Sequence, residues 1–474
     1  MKLNKDFLWG ASTAASQFEG AVKEGGKGLN IMDVVTGGSV DRVREITDTV
    51  EEGKHYPSHT GIDFYHTYKE DIKLMAEMGL KSLRFSIDWA RIYPTGEEEE
   101  PNRDGLMFYH NVLDELHKYD IEPLVTILHI EMPLHIAQKY QAWTNKKTVE
   151  LYLKYAKTLF TEFKGKVKYW LTFNEVNHAV FFDNDNYDVY SYMASGLRLE
   201  RFDNPQQALA DSCYNVLLAG AKAVALGHEI DPNNQIGCVM TFVPQYAATC
   251  KPEDSLAALH DYDRDLFLTD VMCRGEFPAY KLKDYEKQGI NISISKEDDC
   301  AFKAGTIDFY GFNYYSSGVS SADGINLENG FFHSYKNPSL KASEWGWEMD
   351  PVGLRYALNF MDRRYGKPMM VTENGLGAVD VVVNGTVEDE YRIEFLRRHI
   401  EEMEKAIIED GVNCIGYYVW TPIDLVSAST GEMKKRYGFI YVDSHDDGTG
   451  TGVRLKKKSY SWYQTVIRTQ GELL

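Results

Sequence analysis

Two textures of hydrophobic and polar positions alternate along this chain. Short apolar runs bounded by turn residues occur at 7–14, 82–86, 124–128, 168–173, 235–242, 308–312, 368–372 and 415–420. Runs of that length read as strands buried on both faces. Between them the apolar positions recur at helical spacing. The stretch 147–164 is one example. In 388–410, Leu396, Ile400, Met403 and Ile407 lie four, three and four apart, and Gly411 follows as a C-cap. Eight strands alternating with helices predict an α/β fold, a (β/α)8 TIM barrel with a closed parallel sheet. No Ser/Pro-rich linker or solenoid repeat interrupts the alternation, so one domain over residues 1–474 is expected. Irregular stretches around 37–57 and 183–202 read as extended loops at the C-terminal face of the strands, where barrel loops shape the mouth. The acidic run 97–100 and the lysines 456–458 read as solvated loop faces.

Composition narrows the classes of partner. Of the 474 residues, 43% are hydrophobic and 13% aromatic, enough for a large core. The net charge is −20 and the pI near 5.1. That field excludes nucleic acid and anionic membrane surfaces as general partners, and an anionic ligand would need a local cationic site. The first nine residues include lysines but no apolar signal-peptide region, and no later stretch reads as long enough to span a bilayer, so a cytoplasmic protein is expected. Six cysteines at 213, 238, 250, 273, 300 and 414 lack metal-ligand spacing and read as reduced, mostly core residues. No metal or cofactor is expected. Homo-oligomerisation stays open.

Candidate chemistry sits at two strand ends. Lys168-Tyr169-Trp170-Leu171-Thr172-Phe173 delivers Asn174 and Glu175, and Pro368-Met369-Met370-Val371-Thr372 delivers Glu373. These are the fourth and seventh runs, and barrel chemistry gathers at the C-terminal ends of strands, so both carboxylates should face one pocket. Two converging carboxyl groups suit acetal cleavage: one protonates the leaving oxygen, and the other attacks the anomeric carbon or activates water. Taken singly, either glutamate reads as well as a helix cap or a surface ion-pair partner.

Further motifs decide between these readings. Phe7-Leu8-Trp9-Gly10-Ala11-Ser12-Thr13-Ala14-Ala15-Ser16-Gln17-Phe18-Glu19-Gly20, Arg84-Phe85-Ser86-Ile87-Asp88-Trp89, Thr172-Phe173-Asn174-Glu175, Asp308-Phe309-Tyr310-Gly311-Phe312-Asn313-Tyr314-Tyr315, Val371-Thr372-Glu373-Asn374-Gly375 and Tyr418-Val419-Trp420 occur in order over the whole chain. The set resembles the family 1 glycoside hydrolases. The resemblance implies a retaining β-glycosidase in which Glu373 forms the glycosyl-enzyme and Glu175 acts first as acid, then as base. Arg84 and Tyr315 match family positions beside the nucleophile and would hold Glu373 ionised, while Glu175, next to that charge, keeps its proton more readily. Gln17, His129, Asn174 and Trp420 match the family's contacts to the first sugar, amides and imidazole reading hydroxyls and the indole stacking on the ring. Departures stand at His129-Ile130-Glu131-Met132-Pro133, where an aromatic residue after the histidine is common, and at Gln141-Ala142-Trp143, where glycines are usual.

The segment from Trp420 to Gly438 bears on which sugar is presented. In ordinary β-glucosidases of the family a glutamate bonding the 4- and 6-hydroxyls stands at Ser427 and a tryptophan at Ala428; both are absent. A glutamate there would repel a 6-phosphate of about −1.5 to −2 charges. Ser427, Lys435 and Tyr437 supply two hydroxyls and an ammonium, the parts of an anion clamp, although on composition alone they read as a solvated basic turn. The pattern resembles the 6-phospho-β-glucosidase branch. Ala428, where tryptophan accompanies galacto substrates, marks the gluco side of that specificity, and Trp347 is a candidate wall for the aglycone. The implied partner is a small phosphorylated glucoside. A 6-phospho-β-galactosidase, a β-glucosidase of unphosphorylated substrates and a non-catalytic sugar-phosphate binder are the competing readings.

Overall fold

The computed structural model describes residues 3–39, 41–180, 189–324, 328 and 334–474. Met1 and Lys2, and residues 183–188 of the second expected insertion, lie outside the described residues. All eight apolar runs form strands: β1 (Leu8–Ser12), β2 (Ser82–Ser86), β3 (Glu122–Leu128), β4 (Tyr169–Phe173), β5 (Gln235–Thr241), β6 (Phe309–Asn313), β7 (Met369–Asn374) and β8 (Cys414–Trp420). They pair in parallel and in sequence, and β8 returns to β1, closing the barrel. One long helix follows each strand: α1 (Phe64–Met78), α2 (Arg103–Lys118), α3 (Lys146–Glu162), α4 (Pro205–Ile230), α5 (Pro252–Arg274), α6 (Pro351–Tyr365), α7 (Glu390–Ile408) and α8 (Lys458–Thr469). On α7 Leu396, Ile400 and Met403 of the expected stripe are buried and Ile407 is half-buried against the core, and Gly411 takes a φ of +77° just beyond the helix, where only glycine is unstrained.

The lumen is packed with side chains. Leu124, Leu171, Val239, Phe309, Met370 and Tyr418, one from each strand β3 to β8, form a separate buried cluster. Tyr418 fits only because its neighbour on β1 is Gly10; a Cβ there would lie 2.2 Å from the Tyr418 ring. This plug raises a floor under the C-terminal strand ends. Register then sets side chains around the rim: Ser12 pairs with Trp420 and with Arg84, Thr241 with Asn313, and Asn313 with Glu373 across an irregularity after Phe312.

Two expectations are corrected by the packing. Helix α4, 26 residues long, is by length and composition apolar enough to cross a membrane. Its apolar surface is explained by burial inside the protein: Leu209, Val216, Leu217, Leu218 and Val224 all belong to the core. Lys457 is not on a solvated face. Its ammonium is buried between Asp380 and Asp424, 2.7 Å from Asp424 Oδ1. Arg392 shares Asp380 and Arg436 shares Asp424, so the buried acids under the segment after β8 are matched by buried bases. In the acidic run, Glu97 gathers His135, Lys139 and Tyr140, which pull its carboxyl down to about 2. Four cysteines are buried, whereas Cys250 and Cys300 are exposed.

Candidate active site

Glu373 is the penultimate residue of β7 and is 4% exposed. Its two carboxyl oxygens have separate donors. Arg84 NH1 lies 2.6 Å from Oε1, and the Tyr315 hydroxyl donates to Oε2 at 2.6 Å. Arg84 is itself aimed by Thr126 on β3 and by Asn174 just past β4: Nε donates to Thr126 Oγ1 at 3.0 Å and Nη2 to Asn174 Oδ1 at 2.6 Å. Burial pushes the Glu373 carboxyl up to about 7, with Arg84 lowering it, Glu175 raising it and Tyr315 lowering it. Desolvation of the charged form raises the carboxyl, and the two donors oppose that rise. The Tyr315 phenol, pushed well up by burial and by the Glu373 charge, remains a donor.

Glu175 lies just beyond the last ladder pair of β4, Leu128 with Phe173, and adopts a φ of +40°, a strained value for a side chain of this kind. Thr241 Oγ1, at the end of β5, donates to Glu175 Oε1 at 2.5 Å, and Asn313 Nδ2, at the end of β6, does so at 2.7 Å. His178 Nε2 stands 3.4 Å from the other oxygen and 2.9 Å from the Thr241 hydroxyl. The Glu175 side chain is 21% exposed against 5% for Glu373, so the two carboxylates differ in access to water. Asn174 and Asn313 tie the pair together, since Asn313 Nδ2 also lies 3.4 Å from Asn174 Oδ1.

Around this pair stand polar atoms without protein partners. Gln17 donates its amide to the Val426 carbonyl at 2.6 Å, leaving its buried Oε1 unpaired. His129 Nδ1 is likewise buried and unpaired, and burial together with the charges of Arg84 and His178 keeps the ring neutral. Trp420 lies beside it, ring centroids 6.1 Å apart. A ligand rich in hydroxyls can satisfy such groups, and buried polar atoms left without partners are otherwise uncommon.

Beyond Trp420 the chain turns over Ser427–Gly431 and comes back through Lys435 and Tyr437. Ser427 and Lys435 are each 2% exposed, so this is not a solvated basic turn. The Ser427 hydroxyl is 2.9 Å from that of Ser429, to which Lys435 Nζ donates at 3.2 Å. Lys435 also sits 4.1 Å above the Trp347 ring, whose edge meets Tyr315 at 5.4 Å. Trp347 thus stands between the Glu373 side of the pocket and the lysine. The carboxylate nearest in influence to Lys435 is Glu432, which pairs with Lys434 at 2.9 Å. With little compensation for burial, the Lys435 ammonium is pulled down to about 7. Arg436 faces away, held 3.0 Å from Asp424.

Thr241, Asn313 and His178 were not singled out by sequence reasoning. Asn313 lies inside a quoted motif, but nothing in the sequence distinguishes it from its neighbours. Thr241 and His178 become visible only when β5 is set beside β4.

Comparison with known proteins accords with this geometry. The glycosyl hydrolase family 1 model matches residues 1–472. The aryl-phospho-β-D-glucosidase BglA of Bacillus subtilis is 46% identical over 99% of both chains, and the 6-phospho-β-glucosidase AscB of Escherichia coli 45% identical over 99% of this chain and 98% of its own. Among solved structures, the family 1 β-glucosidase of Thermotoga maritima superposes with a TM-score of 0.81 at 29% identity, covering 99% of this chain and 98% of that one. With a closed eight-stranded barrel, two glutamates at the ends of β4 and β7 and a full-length family match, the chain belongs to glycosyl hydrolase family 1.

Proposed function

We propose that the chain hydrolyses β-D-glucosides phosphorylated at O6, releasing glucose 6-phosphate and the aglycone with retention at the anomeric carbon. Glu373 attacks that carbon while Glu175 gives its proton to the departing oxygen. Water, deprotonated by Glu175, then displaces Glu373. The greater exposure of Glu175 suits a group that exchanges its proton with solvent, and the Arg84 and Tyr315 donors suit one that carries charge before attack. Gln17, His129, Asn174 and Trp420 hold the sugar, and Ser427, Lys435 and Tyr437 its phosphate.

The observation that carries the substrate is Lys435: a buried ammonium with no ion pair of its own among the described residues, whose neighbouring carboxylate, Glu432, gives one oxygen to Lys434. A phosphate supplies the missing counter-charge. The names of the 45% and 46% identical relatives, both phospho-β-glucosidases, support the gluco assignment, as does the small Ala428. The galacto and unphosphorylated readings lack a comparable observation. A mere sugar-phosphate binder would have no use for two convergent carboxylates. Such substrates arise inside bacteria that phosphorylate sugars during uptake, which fits a cytoplasmic enzyme.

The test is hydrolysis of p-nitrophenyl β-glucoside and β-galactoside, each with and without a 6-phosphate. The phosphorylated glucoside is expected to have the highest kcat/KM of the four. Equal or faster turnover of the unphosphorylated glucoside overturns the phosphate assignment.

A further inference from the structure

Arg44 belongs to the first insertion, far in sequence from the turn after β8, yet the residue is 6% exposed and lies against that turn. It spends its donors on backbone carbonyls: Nε on Thr36 at 2.8 Å, NH2 on Val35 at 3.3 Å and NH1 on Ala428 at 2.5 Å. The first two bonds anchor the arginine in its own hairpin, closed by bridges from Val35 to Ile46 and from Ser39 to Arg42. The third crosses to the turn that follows Ser427. Gly38 donates to the Thr430 carbonyl at 2.8 Å, and Gly431 packs so closely that a Cβ there would lie 3.2 Å from Arg44 Nε. The turn rests on the arginine.

No carboxylate among the described residues bears on Arg44. Burial lowers it to about 10, opposed by the Tyr190 phenol, which also bears on Tyr437. Buried arginines elsewhere in this protein are matched: Arg84 has Glu373, Arg91 has Glu19, Arg392 has Asp380 and Asp389, and Arg436 has Asp424. Arg44 and Lys435 are two buried cations on the same turn, with the nearby Glu432 engaged by Lys434. The turn itself carries Ser427, Ser429 and Thr430, and the buried Thr430 hydroxyl finds no partner. Buried cations without their own carboxylate among the described residues, beside one hydroxyl without a partner, make a site that an anion would complete.

We propose that Arg44 is a positioning residue of the phosphate subsite, fixing the Ala428 carbonyl so that the Ser427–Thr430 hydroxyls are set for the anion, and adding a second positive charge behind the turn. The inference rests on the phosphorylated substrate proposed above. Arg44 donates to backbone carbonyls and not to Glu175 or Glu373, so its influence belongs in the binding of phosphate rather than in bond cleavage.

The experiment compares Arg44→Met, Arg44→Gln and Arg44→Lys with the unaltered enzyme, using p-nitrophenyl β-glucoside 6-phosphate, its unphosphorylated counterpart and inhibition by glucose 6-phosphate and by glucose. Arg44→Met and Arg44→Gln are expected to raise KM for the phosphorylated substrate and Ki for glucose 6-phosphate about tenfold, the scale of one lost charge-assisted contact, with kcat changed far less. The ratio of kcat/KM for phosphorylated over unphosphorylated substrate should fall by a similar factor, and Arg44→Lys should restore part of it. If the variants lower kcat/KM on both substrates equally, or leave the ratio intact, Arg44 only staples loops and the inference is overturned. If the unaltered enzyme itself fails to prefer the phosphorylated glucoside, it is the substrate reading that falls.

Discussion

At the scale of single residues, two groups in the site change charge near neutrality with opposite consequences. Glu373 is raised by burial to about 7, so below that pH the proposed nucleophile is expected to be protonated and kcat/KM to fall for every substrate. Lys435 is lowered by burial to about 7, so above that pH the ammonium is expected to lose its proton and the proposed attraction for a substrate phosphate to go with it. The expected result is a bell centred near neutrality for the phosphorylated p-nitrophenyl glucoside, whereas the unphosphorylated one lacks the Lys435-linked alkaline limb. The second ionisation of the phosphate, near about 6, reinforces the acid side for its own substrate only. Profiles of kcat/KM over about pH 5 to 9 would show the difference. Lys435→Met should abolish it. An identical alkaline limb for both substrates would mean that Lys435 keeps its proton in the free enzyme.

At the scale of elements, the loop after β7 has to pass the returning strand after β8 at close range. Gly377 permits this, since a Cβ there would lie 2.9 Å from both Lys435 Cε and the Tyr437 ring. Gly377→Ala should displace those two side chains while leaving β7 in place. An overpacking cost of at least about 1 kcal/mol, roughly fivefold, is expected in KM for the phosphorylated substrate, with a smaller change for the neutral one. Steady-state kinetics on the purified variant decides it. The elements themselves were legible in the sequence because period and length are local properties: all eight strands and the stripe on α7 follow from the apolar spacing. What resisted reading depends on contacts between distant segments. Lys457 and Lys458 look alike in sequence, and only the Asp380–Asp424 pocket separates a buried base from an exposed one. The site residues were found through motifs, whereas Thr241 and Arg44, which belong to no chemical motif of their own, are defined by what other strands and loops bring beside them.

At the scale of the whole molecule, a chain of net charge −20 has to accept a dianion into a small cationic pocket. At low ionic strength the global field opposes approach, and it reaches about 30 Å at 10 mM salt but only about 8 Å at 150 mM. Raising salt across that range should therefore increase kcat/KM for the phosphorylated glucoside and leave the neutral one nearly flat. A decrease would mean that Lys435 and Arg44 dominate the approach as well as the binding. Closure of the barrel has a consequence for biosynthesis. The neighbour of β1 on one side is β8, so during translation the first strand waits with a bare edge until residues 414–420 have left the ribosome. Arg84 and Glu373, 289 residues apart, meet only within that finished ring. Ser427, Lys435 and Tyr437 emerge later still. A nascent chain therefore lacks the assembled rim until the barrel closes, and the segment that we propose grips the phosphate is the last part of the site to emerge.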